Sequence, residues 1–179
     1  MERQTIRSEC TQEQFYLCAY CCKNISGERS DTMNEHVVAR RTAPNRGLDF
    51  TNIVASCKTP DQCDDSHGSQ FLPLTPFMQE CETELKFSLS GKVAASTDRA
   101  QQIINTLNLG DDLQNNKGLI EQRKILVQSL LLANGVDTND GLEDDDLIQM
   151  VIDDLSQPKD GRLEAFSPVA INVLKQWLN

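Results

Sequence analysis

The spacing of the cysteines constrains this chain more than any other feature. Seven cysteines occur in 179 residues, at positions 10, 18, 21, 22, 57, 63 and 81. Cys18 and Cys21 form a CxxC pair, which places two thiols where one tetrahedral ion can take both, at about 2.3 Å per bond. Cys57 and Cys63 supply a second pair with five residues between them. Two local pairs in this order predict a structural zinc site with Cys18, Cys21, Cys57 and Cys63 as thiolate ligands. Cys22 is an alternative to its neighbour Cys21, and buried free thiols are the competing reading. Cys10 and Cys81 read as core cysteines.

The compartment supports ligation over cross-linking. Residues 1–10 are polar and lack the apolar stretch of a signal peptide. No apolar run approaches the ~20 residues needed to span a bilayer. A cytoplasmic protein with no membrane association is expected, and in a reducing compartment an odd number of thiols favours metal binding over disulfides.

Charge divides the chain unevenly. Residues 1–95 hold 10 basic and 13 acidic side chains, a net of −3, while residues 96–179 hold 7 and 14, a net of −7. The total of −10 is awkward for a protein that meets nucleic acid unaided, since phosphate binding rests on clustered Lys and Arg. The pattern of apolar residues changes at the same place. Before residue 95 the apolar runs are short and interrupted by Pro and Gly, with strands predicted at 35–38, 52–55 and 85–89. A short helix or turn is predicted at 11–17, and another short helix near 60–67 ending at Gly68.

From residue 96 onward, Ala100, Ile103, Ile104 and Leu107 recur at helical spacing. Leu119, Ile120, Arg123, Lys124, Val127, Leu130 and Leu131 do the same, with Asn134-Gly135 as a stop. Further helices are predicted at 143–155, with an acidic first turn, and from Ser167 as N-cap through Trp177. The stretch Asp137 to Gly141 superficially suggests a calcium loop. Its glycine falls one position early and Ile148 stands where the closing acid belongs, so that reading is rejected.

Between and just beyond the cysteine pairs lie Glu35-His36, Leu48-Asp49-Phe50-Thr51-Asn52 and His67-Gly68, including both histidines of the chain. This order, Cys-x-x-Cys, Glu-His, Leu-Asp-Phe-x-Asn, Cys, Cys, His-Gly, resembles the HNH endonuclease superfamily. More narrowly, it is similar to the HNH subunits of Septu-type anti-phage systems and their retron-associated relatives, as are the stretches 73–76 and 87–91. The resemblance covers residues 15–95. It implies an α+β architecture, with a zinc-stapled ββα-metal nuclease domain over 1–95 followed by an acidic α-helical region over 96–179 that docks a partner.

The resemblance also implies roles. His36 would be the general base that activates water, a task suited to an imidazole titrating near ~6.5. Glu35 and His67 would ligate a catalytic Mg2+ or Mn2+, and Asn52 would tie the loop and orient the base. The implied partners are an ABC/SMC-like ATPase subunit and, in the retron versions, a reverse transcriptase with its noncoding RNA; the implied substrate is DNA. Arg40, Arg41 and Arg46 lie between the two predicted strands, where DNA-backbone contact competes with a solvated charged loop. Trp177, Leu174 and the 143–155 helix are the first candidates for docking. A zinc-stabilised adaptor without activity explains the cysteines and the acidity equally well. A CxxC thiol oxidoreductase lacks the βαβ context such a motif needs.

Overall fold

A computed structural model describes residues 2–111, 116–138 and 141–178. Asn139 and Asp140, two positions of the rejected calcium-loop reading, lie outside the described residues. The described chain is mixed α/β, with two small antiparallel two-stranded sheets set among helices.

A polar helix, α1 (Glu2–Glu13), leads into the first cysteine pair. The sequence pattern predicts only a helix or turn at 11–17, because this segment has no apolar stripe. It is held instead by Cys10, Thr11 and the buried Arg7, whose Nε donates to the carbonyl of Gly27 at 2.8 Å. Strands β1 (Thr32–His36) and β2 (Ile53–Cys57) then pair in a hairpin, with Glu35 opposite Val54 and His36 opposite Ile53. Every residue of β2 is buried, as befits a short run of small and β-branched side chains covered on both faces. Relative to the sequence expectation, β1 sits about three residues earlier. The cause is Asn52, whose side chain takes both backbone polar groups of Val38 and so removes that residue from the strand ladder.

Two four-residue helices follow, α2 (Asp64–His67) and α3 (Cys81–Glu84), then a second hairpin of β3 (Leu85–Phe87) and β4 (Val93–Ala95). The helical half comprises α4 (Asp98–Leu107), α5 (Lys117–Ala133), α6 (Asp145–Leu155) and α7 (Ser167–Lys175). The α4 helix is capped by Thr97, whose hydroxyl accepts from the amide of Ala100 at 3.2 Å, and it buries Ala100, Ile103, Ile104 and Leu107 as the periodicity requires. Removing such a cap typically costs about 1 kcal/mol, and each Ile or Leu buried contributes about 1.5–3 kcal/mol. The last helix begins one residue off expectation, with Phe166 in the left-handed region (φ 63°) as N-cap and Ser167 already helical.

One core runs across the compositional boundary at residue 95. Backbone amides of Leu163 and Phe166 donate to the carbonyls of Phe15 and Cys22, and Asn172 of α7 bonds Phe87, Glu82 and Leu85. Arg123 of α5 is wholly buried. Its guanidinium donates to the carbonyls of Gly91 (2.7 Å) and Leu109 (3.0 Å) and stacks 4.9 Å from the centroid of the Phe87 ring. Gly91 is at φ +83°, and a Cβ there would run into the carbonyl of Ile120, so the β3–β4 turn can press against α5 only with glycine at its tip. Leu174, a sequence candidate for docking, is fully buried and belongs to this core; Trp177 is partly buried against it. Among the described residues no helix is long and apolar enough to cross a membrane.

Candidate metal centre and histidine site

The first cysteine pair sits on a tight knuckle. Leu17 bridges Asn24, the amide of Cys18 donates to Lys23, and the amide of Cys22 donates back to the carbonyl of Cys18. Cys22 takes a positive φ of 62° to close the turn. Cys57 arrives at the end of β2 and Cys63 at the start of α2, its own φ of 53° turning the chain inward. The four sulfurs of Cys18, Cys21, Cys57 and Cys63 all lie within 4.8 Å of one another and are buried. Cys18 Sγ is 3.9 Å from Cys63 Sγ, and Cys21 Sγ is 3.9 Å from Cys57 Sγ. A tetrahedral ion with bonds of about 2.3 Å sets sulfurs about 3.8 Å apart, so the spacing fits a structural metal such as zinc. Cys22 is not in the cluster, which resolves the ligand choice left open by sequence in favour of Cys21.

The surroundings suit thiolates. The amide of Cys57 donates to Cys18 Sγ at 3.3 Å, and the Gln62 side-chain amide approaches Cys57 Sγ and Cys63 Sγ, each at 3.7 Å. Gln62 is itself held by Asn116, the N-cap of α5, at 2.8 Å. Hydrogen bonds from Cys18, Cys21 and Cys63 pull the Cys57 thiol far down. Burial, reinforced by the same neighbours, pushes Cys63 well up. Four thiolates cannot share this space without a cation between them, and a divalent ion removes the conflict.

The hairpin places the remaining candidates. Neighbouring residues on a strand point to opposite faces, so Glu35 turns inward and His36 toward the β1–β2 loop. His36 Nε2 lies 3.0 Å from the carbonyl of Gly47. A carbonyl only accepts, so Nε2 carries a proton, and in the neutral ring Nδ1 is the acceptor. Asn52 is 1% exposed and sews the loop together: its Oδ1 accepts from the Val38 amide at 2.7 Å, and its Nδ2 donates to Val38 at 3.0 Å and to Arg46 at 3.4 Å. The loop that presents Gly47 to His36 is thereby held by Asn52.

On the inner face, α2 brings His67 against Glu35. His67 Nδ1 hydrogen-bonds the Glu35 carboxylate, and Nε2 donates to the carbonyl of Gln70 at 2.7 Å. His67 is fully buried and Glu35 nearly so. The Tyr20 hydroxyl donates to Glu35 at 3.4 Å, and its ring meets the His67 ring edge-on at 6.4 Å between centroids. Burial opposes the charge on Glu35, but the hydrogen bonds from His67 and Asp64 hold its carboxyl below the ordinary range. Burial likewise opposes the charge on His67, and the Glu35 carboxylate outweighs it, raising that imidazole. Burial and the adjacent Glu35 push Asp64 up to about 8, which favours its neutral form beside the Glu35 carboxylate.

Asp64, Tyr20 and Gln62 were not singled out from the sequence. Asp64 was detectable in principle, because it stands three residues before His67 and the two share one face of a helical turn. Glu35 and His67 are a carboxylate and an imidazole whose Nε2–H is fixed on a carbonyl; because Nδ1 is bonded to Glu35 itself, a divalent ion would have to take the place of the proton between them. Among the described residues, however, the four cysteines are the only set of three or more potential ligands within 4.8 Å. Of the loop arginines, Arg46 is committed to Asp49 (2.8 Å) and Thr51, while Arg40 and Arg41 are exposed. No protein-family model matches this chain, and no curated protein matches it in sequence.

Proposed function

We propose that the chain is the nuclease subunit of a defence complex of HNH type, hydrolysing DNA phosphodiester bonds with His36 as general base. The observation that carries this reading is one arrangement. The first strand of a hairpin ends in Glu35-His36, Asn52 ties its loop, and a short helix starting at the last of four clustered cysteines delivers His67 to Glu35. The free Nδ1 of His36 takes a proton from water, and the resulting hydroxide attacks phosphorus. The bond to the 3′ oxygen breaks, and solvent protonates that oxygen as it leaves. Asn52 contributes by holding the loop whose Gly47 carbonyl fixes the His36 tautomer. Glu35 and His67 would hold Mg2+ or Mn2+, which neutralises charge on the phosphoryl and departing oxygens. Arg40 and Arg41 would neutralise backbone phosphates. A net charge of −10 favours delivery of DNA by a partner, for which an ABC/SMC-like ATPase, with or without a reverse transcriptase and its RNA, is the proposed class.

A second reading has its own observation. His67 is fully buried with both ring nitrogens engaged, which also suits a purely structural histidine in an inactive zinc-stabilised adaptor. Nicking of supercoiled plasmid, with Mg2+ or Mn2+ and with or without the ATPase, separates the two. Wild-type chain should nick only with the divalent ion, and His36→Ala should lose about a hundredfold or more, with zinc content unchanged. Nicking that survives His36→Ala would place the activity at a different site, and no nicking even with the partner present would leave the adaptor.

A further inference from the structure

The β1–β2 loop, residues 37–52, carries an unusual surface. Leu48 is 78% exposed and Phe50 is 53% exposed, in a stretch with three arginines and one aspartate in a chain of net −10. Other exposed apolar side chains have different company. Phe71, Phe77 and Met78 stand in a segment, 71–85, with no basic residue, and Leu147 and Met150 lie on the acidic helix α6. Helix α5 also exposes Ile125, Leu126 and Leu132 near Lys124; the loop differs in setting an exposed aromatic ring beside Leu48 among three arginines.

The loop is also held rigid beneath its exposed tips. Asp49, between the two apolar residues, accepts from the amide (2.9 Å) and hydroxyl (2.6 Å) of Thr51 and pairs with Arg46 at 2.8 Å. It caps the 3-10 turn Phe50–Asn52, whose last residue is the buried Asn52. Leu48 follows Gly47, whose carbonyl receives His36. An exposed ring on a fixed backbone loses little entropy on binding, and here it stands one short turn from the candidate base.

We propose that Leu48 and Phe50 form a stacking platform for unpaired nucleobases, with Arg40 and Arg41 on the flanking phosphates, so that the substrate of this site is single-stranded or locally opened DNA. The inference rests on the nuclease reading above and deepens it. Bases within a duplex are already stacked on one another, whereas an unpaired base offers a free π-face to an aromatic side chain in a positive groove.

The test uses full-length, zinc-loaded chain carrying His36→Ala, so that binding is read without cleavage. Fluorescence anisotropy at low salt compares a labelled single strand with the same strand in a duplex. The parent should prefer the single strand, and Phe50→Ala should weaken that binding roughly tenfold. Leu48→Ser should weaken it by a smaller factor, with duplex binding unchanged in both variants. A 2-aminopurine reporter in the single strand should be quenched by the parent and not by Phe50→Ala. Equal losses on both DNAs, preference for duplex, no binding to either, or loss of the ATPase instead of DNA in Phe50→Ala would each overturn the proposal. Failure of the nuclease reading shows separately, as nicking that persists in the His36→Ala chain.

Discussion

Between residues 14 and 67, four thiols, one asparagine and a few backbone hydrogen bonds set the shape around a small apolar patch of Ile25, Val37, Ile53 and Val54. From Asp98 onward, shape follows from apolar side chains repeated along helices, among them Ile103, Leu107, Val127, Ile152 and Leu174. The first region concentrates its stability in few atoms, and the second spreads it over many. Loss of one ligand should therefore be catastrophic where loss of one helical side chain is graded. The two regions are nonetheless coupled. Gln62 beside the thiols is held by Asn116, and the buried Arg123 spans α5, the β3–β4 turn and the end of α4.

The largest effect is expected from Cys57→Ser. Structural zinc binding is worth on the order of 10 kcal/mol, comparable with the whole stability of an ordinary domain at about 5–15 kcal/mol. Circular dichroism and metal analysis should show a chain that has lost its zinc and its cooperative melt. A Cys57→Ser chain that melts like wild type would erase the contrast between the regions. Next comes Arg123→Met, which strands two buried carbonyls and removes a cation stacked on Phe87. Urea unfolding should show a loss of about 2–4 kcal/mol. A loss near zero would mean that the halves are coupled by apolar packing and by the Asn172 and Gln62–Asn116 hydrogen bonds, without Arg123.

The helical half was the more legible from sequence. Ala100, Ile103, Ile104 and Leu107 face the core as their spacing requires, and helices α5 and α6 begin and end within two residues of expectation, because periodicity and caps are local signals. Arg123, read as one polar member of an apolar stripe, proved to be the buried link. Nothing local reveals that Gly91 and Leu109 will present carbonyls to it. In the cysteine region the ligand pairs were legible, since chelation demands their spacing. The strand register was not, since Asn52 acts across fourteen residues on Val38. The raised carboxyl of Asp64 and the extent of helix α1 were missed for the same reason: both depend on neighbours distant in sequence, Glu35 for the first and Gly27 for the second.

Smaller effects sharpen the comparison. Asn52→Ala removes three hydrogen bonds of a buried side chain and should cost about 1–3 kcal/mol in denaturant melts. If the chain cleaves DNA as proposed, this variant should also lower cleavage less than His36→Ala does, since it frees the loop without removing the proposed base. Full activity in Asn52→Ala would detach the loop from the site. Leu147→Ser and Met150→Gln, on the exposed face of α6, should change stability by no more than about 0.5 kcal/mol. Loss of co-purification with the proposed ATPase partner in either variant would mark that face as the docking surface.

The claim on which the site depends is that a metal organises the four cysteines and, through β2 and α2, the Glu35–His67 and His36–Gly47 contacts. Elemental analysis of natively purified, folded chain measures it directly. One zinc per chain is expected, retained through dialysis and lost together with the cooperative melt when a strong chelator is added. A well-folded chain that carries no zinc, or one whose melt is indifferent to chelation, would contradict it.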